Sequence, residues 1–374
     1  MTGVALGLEA MATRFELVLA GDDPTRLRAA GEEALQEIRR IEEQLSRYRP
    51  ASAIAWINAA AGSEPVRVDP RVLALLRRCA ELSRLTDGAF DITVGPLLRA
   101  WGFVGGSGAA PDSRTLARAR DLVGIDRVEL DAVAGTVRLA RPGMELDLGA
   151  IGKGYAIDCA VAVLEEHGVP SALLHGGTSS VHVIGGDTGA APWRVAWRVP
   201  GAADRLRTLT VAQPALSVSA PHGKAFVLGG RLMGHVLDPR AGEPAGAAVS
   251  ACVVGPASTV CDALSTALLV GGKAAGGRLR QRFPGYSGWL ARAPGALGEP
   301  RSGAMRPGKQ AAGQEDDAPQ QAEDAFHGDP HEAERKQHQP HQRIQHEGQQ
   351  GQGPAQDEED EPEQQLRHGH TSIY

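Results

Sequence analysis

The chain has 374 residues, enough for one large domain or two small ones whose core needs no disulfide staples. Its net charge of −6 is uneven: residues 301–374 hold 15 acids and 7 Lys/Arg, which leaves the rest near neutral at +2. No basic run offers a surface for nucleic acid. The four cysteines, Cys79, Cys159, Cys252 and Cys261, form no CxxC pair and sit among apolar neighbours. Buried free thiols are therefore expected, which fits a reducing compartment. Residues 1–10 contain no basic segment, apolar run or early cysteine, and no stretch is long enough to span a membrane. A cytoplasmic protein is the expectation.

Phe15, Leu17 and Leu19 alternate with Arg14, Glu16 and Val18, as in a strand. Asp23-Pro24 reads as an N-cap and first-turn proline. A long amphipathic helix follows on Leu27, Leu35, Ile38, Ile41 and Leu45, ended by Pro50. Asp69-Pro70 repeats the start signal for a helix on Val72, Leu75, Leu76, Cys79 and Leu82, stopped at Asp87-Gly88. Residues 127–147 predict two short strands, and a third helix runs from after Gly149 to near Gly168. Strands dominate 171–254, a fourth helix covers about 258–270 and ends at Gly271-Gly272, and Gly288 to Arg292 reads as a last strand. Beyond residue 300 the chain is rich in Gln, Glu, Asp, His, Pro and Gly and almost without aliphatics, so it cannot bury enough apolar area to offset its ordering entropy. Domain boundaries follow: a folded domain over 1–300 and a disordered tail over 301–374.

Five stretches carry candidate chemistry, each with a plainer structural alternative. In Glu145-Leu-Asp-Leu-Gly-Ala-Ile-Gly-Lys-Gly-Tyr-Ala-Ile-Asp158 a strand ends in a glycine turn that opens a helix. Its amide N–H groups and Lys153 suit an anion, although the spacing is neither a P-loop nor a dinucleotide fingerprint; an ordinary strand-to-helix turn is the alternative. Asp262 and Thr266, four apart, place two oxygens on one helix face, where a hard cation such as magnesium could bind. Thr259 with Asp262 also reads as a capping box. His235, at a strand end before Asp238-Pro-Arg-Ala-Gly242, could accept a proton or simply pack in a hairpin. The stretches Gly88 to Gly102 and His175-Gly-Gly-Thr-Ser-Ser180 are turn-rich and could be loop packing.

These stretches, in this order, resemble the ApbE-like flavin transferases, the FAD:protein FMN transferases. The resemblance rests on Phe90-Asp91-x-Thr-Val-Gly-Pro-Leu, Asp147-Leu-Gly-x-Ile-x-Lys-Gly-Tyr-Ala-x-Asp158, His235-x-x-Asp-Pro-Arg-x-Gly242 and Asp262-Ala-Leu-x-Thr266. It extends from Met11 through Tyr48 and Asn58 to Trp289. It implies an α+β fold, a single domain with mixed sheets flanked by helices. Met11, Tyr48, Ala89, Phe90, Asp91, Asp147, Lys153 and Val236 fall where the family contacts FAD, which is its substrate. Asp262, Thr266 and the carbonyl of Ala150 fall where it holds Mg²⁺, and His235 where a general base is suspected. The expected partners are FAD and an acceptor protein carrying a Thr/Ser flavinylation motif, with no nucleic acid and no membrane span. Three departures are visible: Ala12 stands where Gly is frequent, Gly152 where Ala is common, and His175-Gly-Gly-Thr-Ser-Ser180 replaces a Gly-Gly-Asn/Asp motif. No stretch matches the family's acceptor motif. The same site would also serve an Mg²⁺-dependent FAD pyrophosphatase, with water as nucleophile, or a flavin-binding protein without chemistry.

Overall fold

Alternating apolar residues start the chain as a hairpin, β1 (Thr2–Ala10) against β2 (Thr13–Gly21), in the computed structural model, which describes residues 2–291 and 371–372 apart from 107, 187–192, 199–205, 211–212, 222 and 247. Met11 and Ala12 make its turn, both in the left-handed region, with φ of 51° and 57°. The Asp-Pro signals act as expected. Asp23 accepts from the Arg26 N–H at 3.0 Å to start α1 (Pro24–Leu45), and Asp69 accepts from Arg71 at 2.7 Å to start α3 (Pro70–Leu85). Between them lie α2 (Ala53–Ala59) and the short β3 (Val66–Arg67). Helix α3 stops where expected, at Asp87 and Gly88, both with positive φ. Next come α4 (Gly95–Ala100), α5 (Ser113–Asp121), the strand pair β4 (Val128–Asp131) and β5 (Thr136–Leu139), and α6 (Gly152–Glu166).

The strand-rich stretch supplies β6 (Ser171–Gly176), β7 (Ser180–Ile184), β8 (Arg194–Arg198), β9 (Leu206–Thr210) and β10 (Ala215–Ser219). The hairpins β11 (Ala225–Leu228) with β12 (Arg231–Gly234) and β13 (Leu237–Asp238) with β14 (Glu243–Pro244) follow, then β15 (Ser250–Gly255). Helix α7 (Ser258–Arg282) and β16 (Ser287–Ala291) complete the domain. Residues 371–372 form β17 (Thr371–Ser372), which runs parallel to β8. The rest of the tail expected over 301–374 lies outside the described residues.

The principal sheet has the order β1-β2-β6-β7-β10-β15-β16, and every neighbouring pair in it is antiparallel. Residues alternate across it. Phe15, Leu17, Leu19, Leu174, Ala215, Ala251 and Val253 face the layer of α1, α6 and α7, whereas Leu173, Val181, Val183, Leu216 and Cys252 pack on the other side beneath Trp193 and Val195. The α+β class stands. A third cluster, Leu97, Trp101, Phe103, Ala119 and Leu237, is joined by Phe226 and Met233 of the β11–β12 hairpin. Helix α7 differs from expectation. The helical path breaks at Gly272, with φ of 58°, but does not end there. Ala275, Leu279 and Phe283 are buried beyond it, so apolar packing restarts the helix after the glycine pair. Among the described residues no helix is long and apolar enough to cross a membrane.

Candidate active site

Helices α6 and α7 meet at their N-terminal ends and cap each other. Asp158, on α6, accepts the N–H groups of Ser258 and Thr259 at 2.8 Å each and the Thr259 hydroxyl at 2.6 Å. Asp262, on α7, accepts the Gly154 N–H at 2.7 Å. The capping box expected from Thr259 and Asp262 is thus not the one formed; the cap of α7 comes from Asp158. Burial alone would raise the Asp158 pKa, but hydrogen bonds from His182, Thr259 and Ser258 outweigh it and hold the carboxyl below its usual range. The approach is close enough that a Cβ on Gly154 would lie 2.3 Å from the Ser258 carbonyl oxygen, so only glycine fits.

This arrangement prepares a cluster of hard oxygens. The Gly154 N–H lies in the first turn of α6, where the helix itself supplies no acceptor. Here it donates to Asp262, and Ala150 lines the cavity with Asp262 and Thr266. The carboxylate of Asp262, the hydroxyl of Thr266 and the backbone carbonyl of Ala150 are the donor types a magnesium ion takes, so the residues lining the cavity fit the ion that the resemblance implies. Among the described residues no group of three or more His, Cys, Asp or Glu suits a softer metal. Asp262 is buried, and its Oδ1 accepts from Ser180 Oγ at 2.7 Å and from Ser217 Oγ. The Thr266 hydroxyl lies 3.1 Å from Ser219 Oγ, which in turn lies 2.8 Å from Ser265 Oγ.

The cavity, about 650 Å³, is lined also by Ala89, Asp91, Asp147, Lys153, His235 and Val236. Asp147 is held from two sides: Oδ1 accepts the Gly149 N–H at 2.8 Å and Oδ2 pairs with Arg47 at 2.7 Å. Arg47 is nearly buried and also pairs with Glu145; burial opposes its charge, but Asp147 and Glu145 outweigh it and raise its pKa. The Asp91 carboxylate is engaged inside the protein. It accepts from Thr93 N–H at 2.8 Å, Thr93 Oγ1 at 2.7 Å and the Ile125 N–H at 3.1 Å, and burial raises its pKa despite these bonds. Asp91 therefore shapes the wall of the cavity more than it presents a free carboxylate.

His235 follows β12 and precedes the Asp238-to-Gly242 turn, where its position was expected. Its Nδ1 lies 3.2 Å from the Lys224 carbonyl oxygen. With the ring proton on Nδ1, Nε2 keeps its lone pair. Burial lowers the His235 pKa, and the positive charges of Lys153 and Lys224 lower it further. The imidazole is consequently neutral and able to accept a proton at neutral pH.

Three expected contacts do not line this cavity. Met11 sits in the β1–β2 turn, its N–H donating to Glu42 Oε1 at 2.7 Å. Tyr48 is exposed beside the Arg47 guanidinium, and Phe90 is buried in the main core with its N–H on Thr86 Oγ1. Conversely, Ser180 enters the sequence reading only as the end of the His175–Ser180 stretch, and Arg47, Ser217 and Ser219 carry no expected role. The available signal for the last two was Ser-x-Ser inside the apolar strand β10, which puts two hydroxyls on the face toward α7.

Comparison with known proteins fits this geometry. The ApbE family pattern matches residues 11–288. An FAD:protein FMN transferase from Treponema pallidum is 35% identical over 273 residues, covering 69% of this chain and 75% of that protein. One from Klebsiella pneumoniae is 34% identical over 220 residues, covering 58% of this chain and 67% of that protein. Among solved structures, the ApbE protein of Thermotoga maritima superposes with a TM-score of 0.70 at 29% identity, covering 77% of this chain and 94% of its own. The apo flavinyl transferase ApbE of Pseudomonas stutzeri gives 0.68 at 26% identity, covering 78% and 92%. With a family pattern that spans residues 11–288 and a fold shared with solved ApbE structures, this chain belongs to the ApbE family.

Proposed function

We propose that the protein is an FAD:protein FMN transferase that moves the FMN half of FAD onto a Thr or Ser hydroxyl of an acceptor protein and releases AMP. The observation that carries this reading is the meeting of chain-distant residues in one cavity: Ala89 and Asp91, Asp147 and Lys153, His235 and Val236, and Asp262 with Thr266. The acceptor oxygen forms a bond to the phosphorus of the FMN half. The bond from that phosphorus to the oxygen bridging to the AMP phosphate breaks, and the hydroxyl proton passes to His235 Nε2. Lys153 and the α6 N-terminus favour the pyrophosphate charge, while Asp147, fixed by Arg47 and the Gly149 N–H, holds its place on the wall. Asp262, Thr266 and the Ala150 carbonyl would hold Mg²⁺, which supplies charge neutralisation at the pyrophosphate.

The test is incubation of the full chain with FAD, Mg²⁺ and a candidate acceptor, following acceptor mass, AMP and free FMN together. The expected outcome is an acceptor heavier by one FMN less one water for each AMP released. Free FMN and AMP with an unmodified acceptor would replace the transferase with a pyrophosphatase. Bound FAD with no AMP at all would leave a flavin-binding protein.

A further inference from the structure

Asp262 is a carboxylate whose two oxygens are unequally engaged. Oδ1 takes hydroxyl hydrogen bonds from Ser180, at 2.7 Å, and from Ser217. Oδ2 takes a single bond, from the Gly154 N–H at 2.7 Å. A carboxylate oxygen offers two lone-pair directions, so Oδ1 is filled and Oδ2 keeps one. Both serines are fully buried on adjacent strands, paired Ser217 to Ser180 on the sheet face toward α7. Ser217 Oγ has one proton and two acceptors in reach, the carboxylate and the Ser179 carbonyl at 3.1 Å. The charged oxygen is the stronger acceptor and the nearer one.

We infer that Ser180 and Ser217 are positioning residues for the cation site: by occupying Asp262 Oδ1 they leave Oδ2 as the single carboxylate ligand and fix its direction toward Ala150 and Thr266. This rests on the reading that Asp262 holds Mg²⁺. Neither serine lines the cavity; each acts through the carboxylate, as outer hydrogen-bond partners of metal ligands do, where removal costs roughly 10- to 100-fold in metal affinity. The two hydroxyls come from β7 and β10, so the metal ligand on α7 is oriented by the sheet, and the sheet and helix must be packed correctly for the site to exist.

The experiment measures Kd for Mg²⁺ by calorimetry on the full chain, with Mn²⁺ and its paramagnetic resonance signal as a second probe, and with melting temperature on the same preparations. Ser180→Ala and Ser217→Ala should each weaken the cation about tenfold. Ser180→Thr and Ser217→Thr, which keep the hydroxyl, should bind within about twofold of wild type. Folded alanine variants with the wild-type Kd would overturn the inference. Should an alanine variant not fold, its threonine counterpart decides: wild-type affinity supports the assignment, and tenfold weakening despite the hydroxyl overturns it. Asp262→Ala separates the two levels. If that variant binds the cation as tightly as wild type, the metal reading itself fails, whatever the serines do.

Discussion

His235 titrates against its surroundings. Burial and the charges of Lys153 and Lys224 all disfavour its protonated form, so its pKa in the folded protein lies below the unfolded value of ~6.5. The unfolded chain binds that proton more readily. The stability linked to His235 is therefore whole above the unfolded value and declines as the pH drops below it. For catalysis the same shift predicts an acid limb of the transfer rate centred below ~6.5 and a plateau from there through neutral pH. His235→Gln should cut the rate by roughly 10²–10⁴ and abolish that limb while FAD affinity and melting temperature stay close to wild type. A wild-type limb centred above neutrality would refute the base role. Thr266→Val tests the cation ligand without a change of shape: metal affinity should fall about tenfold and stability by no more than ~1 kcal/mol, read by calorimetry and thermal melting. Ala12 is a separate matter. It holds a φ of 57°, which costs an L-residue roughly 1–2 kcal/mol, so Ala12→Gly should raise the melting temperature, less the entropy that glycine adds to the unfolded chain.

Between elements, the reciprocal caps of α6 and α7 decide whether the site is assembled. Asp158→Ala removes three hydrogen bonds from the start of α7 and should cost about 2–4 kcal/mol, measured by denaturant titration. Unchanged stability would mean that the caps are replaced by water. Gly154→Ala drives a Cβ into backbone and should be at least as damaging. These caps also mark where sequence reading stops. Asp23-Pro24 and Asp69-Pro70 announced α1 and α3 because the capping side chain is local to the helix it caps. The cap of α7 is Asp158, 100 positions away from Ser258, so the local Thr259/Asp262 spacing suggested a box that does not form. Similarly, the expected site residues that reach the cavity lie in compact motifs, whereas Arg47 and Ser217 act through partners 100 and 45 positions distant. The three short helices α2, α4 and α5 were not read either, since six to nine residues give too few turns for a clear 3.6-residue period.

For the whole molecule, the composition break near residue 300 predicts that a chain truncated after Ser302 keeps its melting temperature and FAD affinity. Truncation removes the two-residue β17, which contributes at most about 1 kcal/mol beside β8, and calorimetry with flavin fluorescence would expose a larger role. The domain itself is not uniformly tied together. The β11–β12 ribbon that delivers His235 shares no ladder with the seven-stranded sheet; it is held by Phe226 and Met233 against Trp101 and Phe103, with Val227 and Leu232 facing solvent. Its opening free energy should therefore be smaller than that of the sheet, so its amide protons should exchange with solvent well before those of β6, β7 and β10. In such a partly opened protein His235, the proposed proton acceptor, would be withdrawn while α6, α7 and their oxygens remain in place. Warming should then silence turnover some degrees before the cation is released, so that one short ribbon, and not the core, would set the enzyme's working temperature.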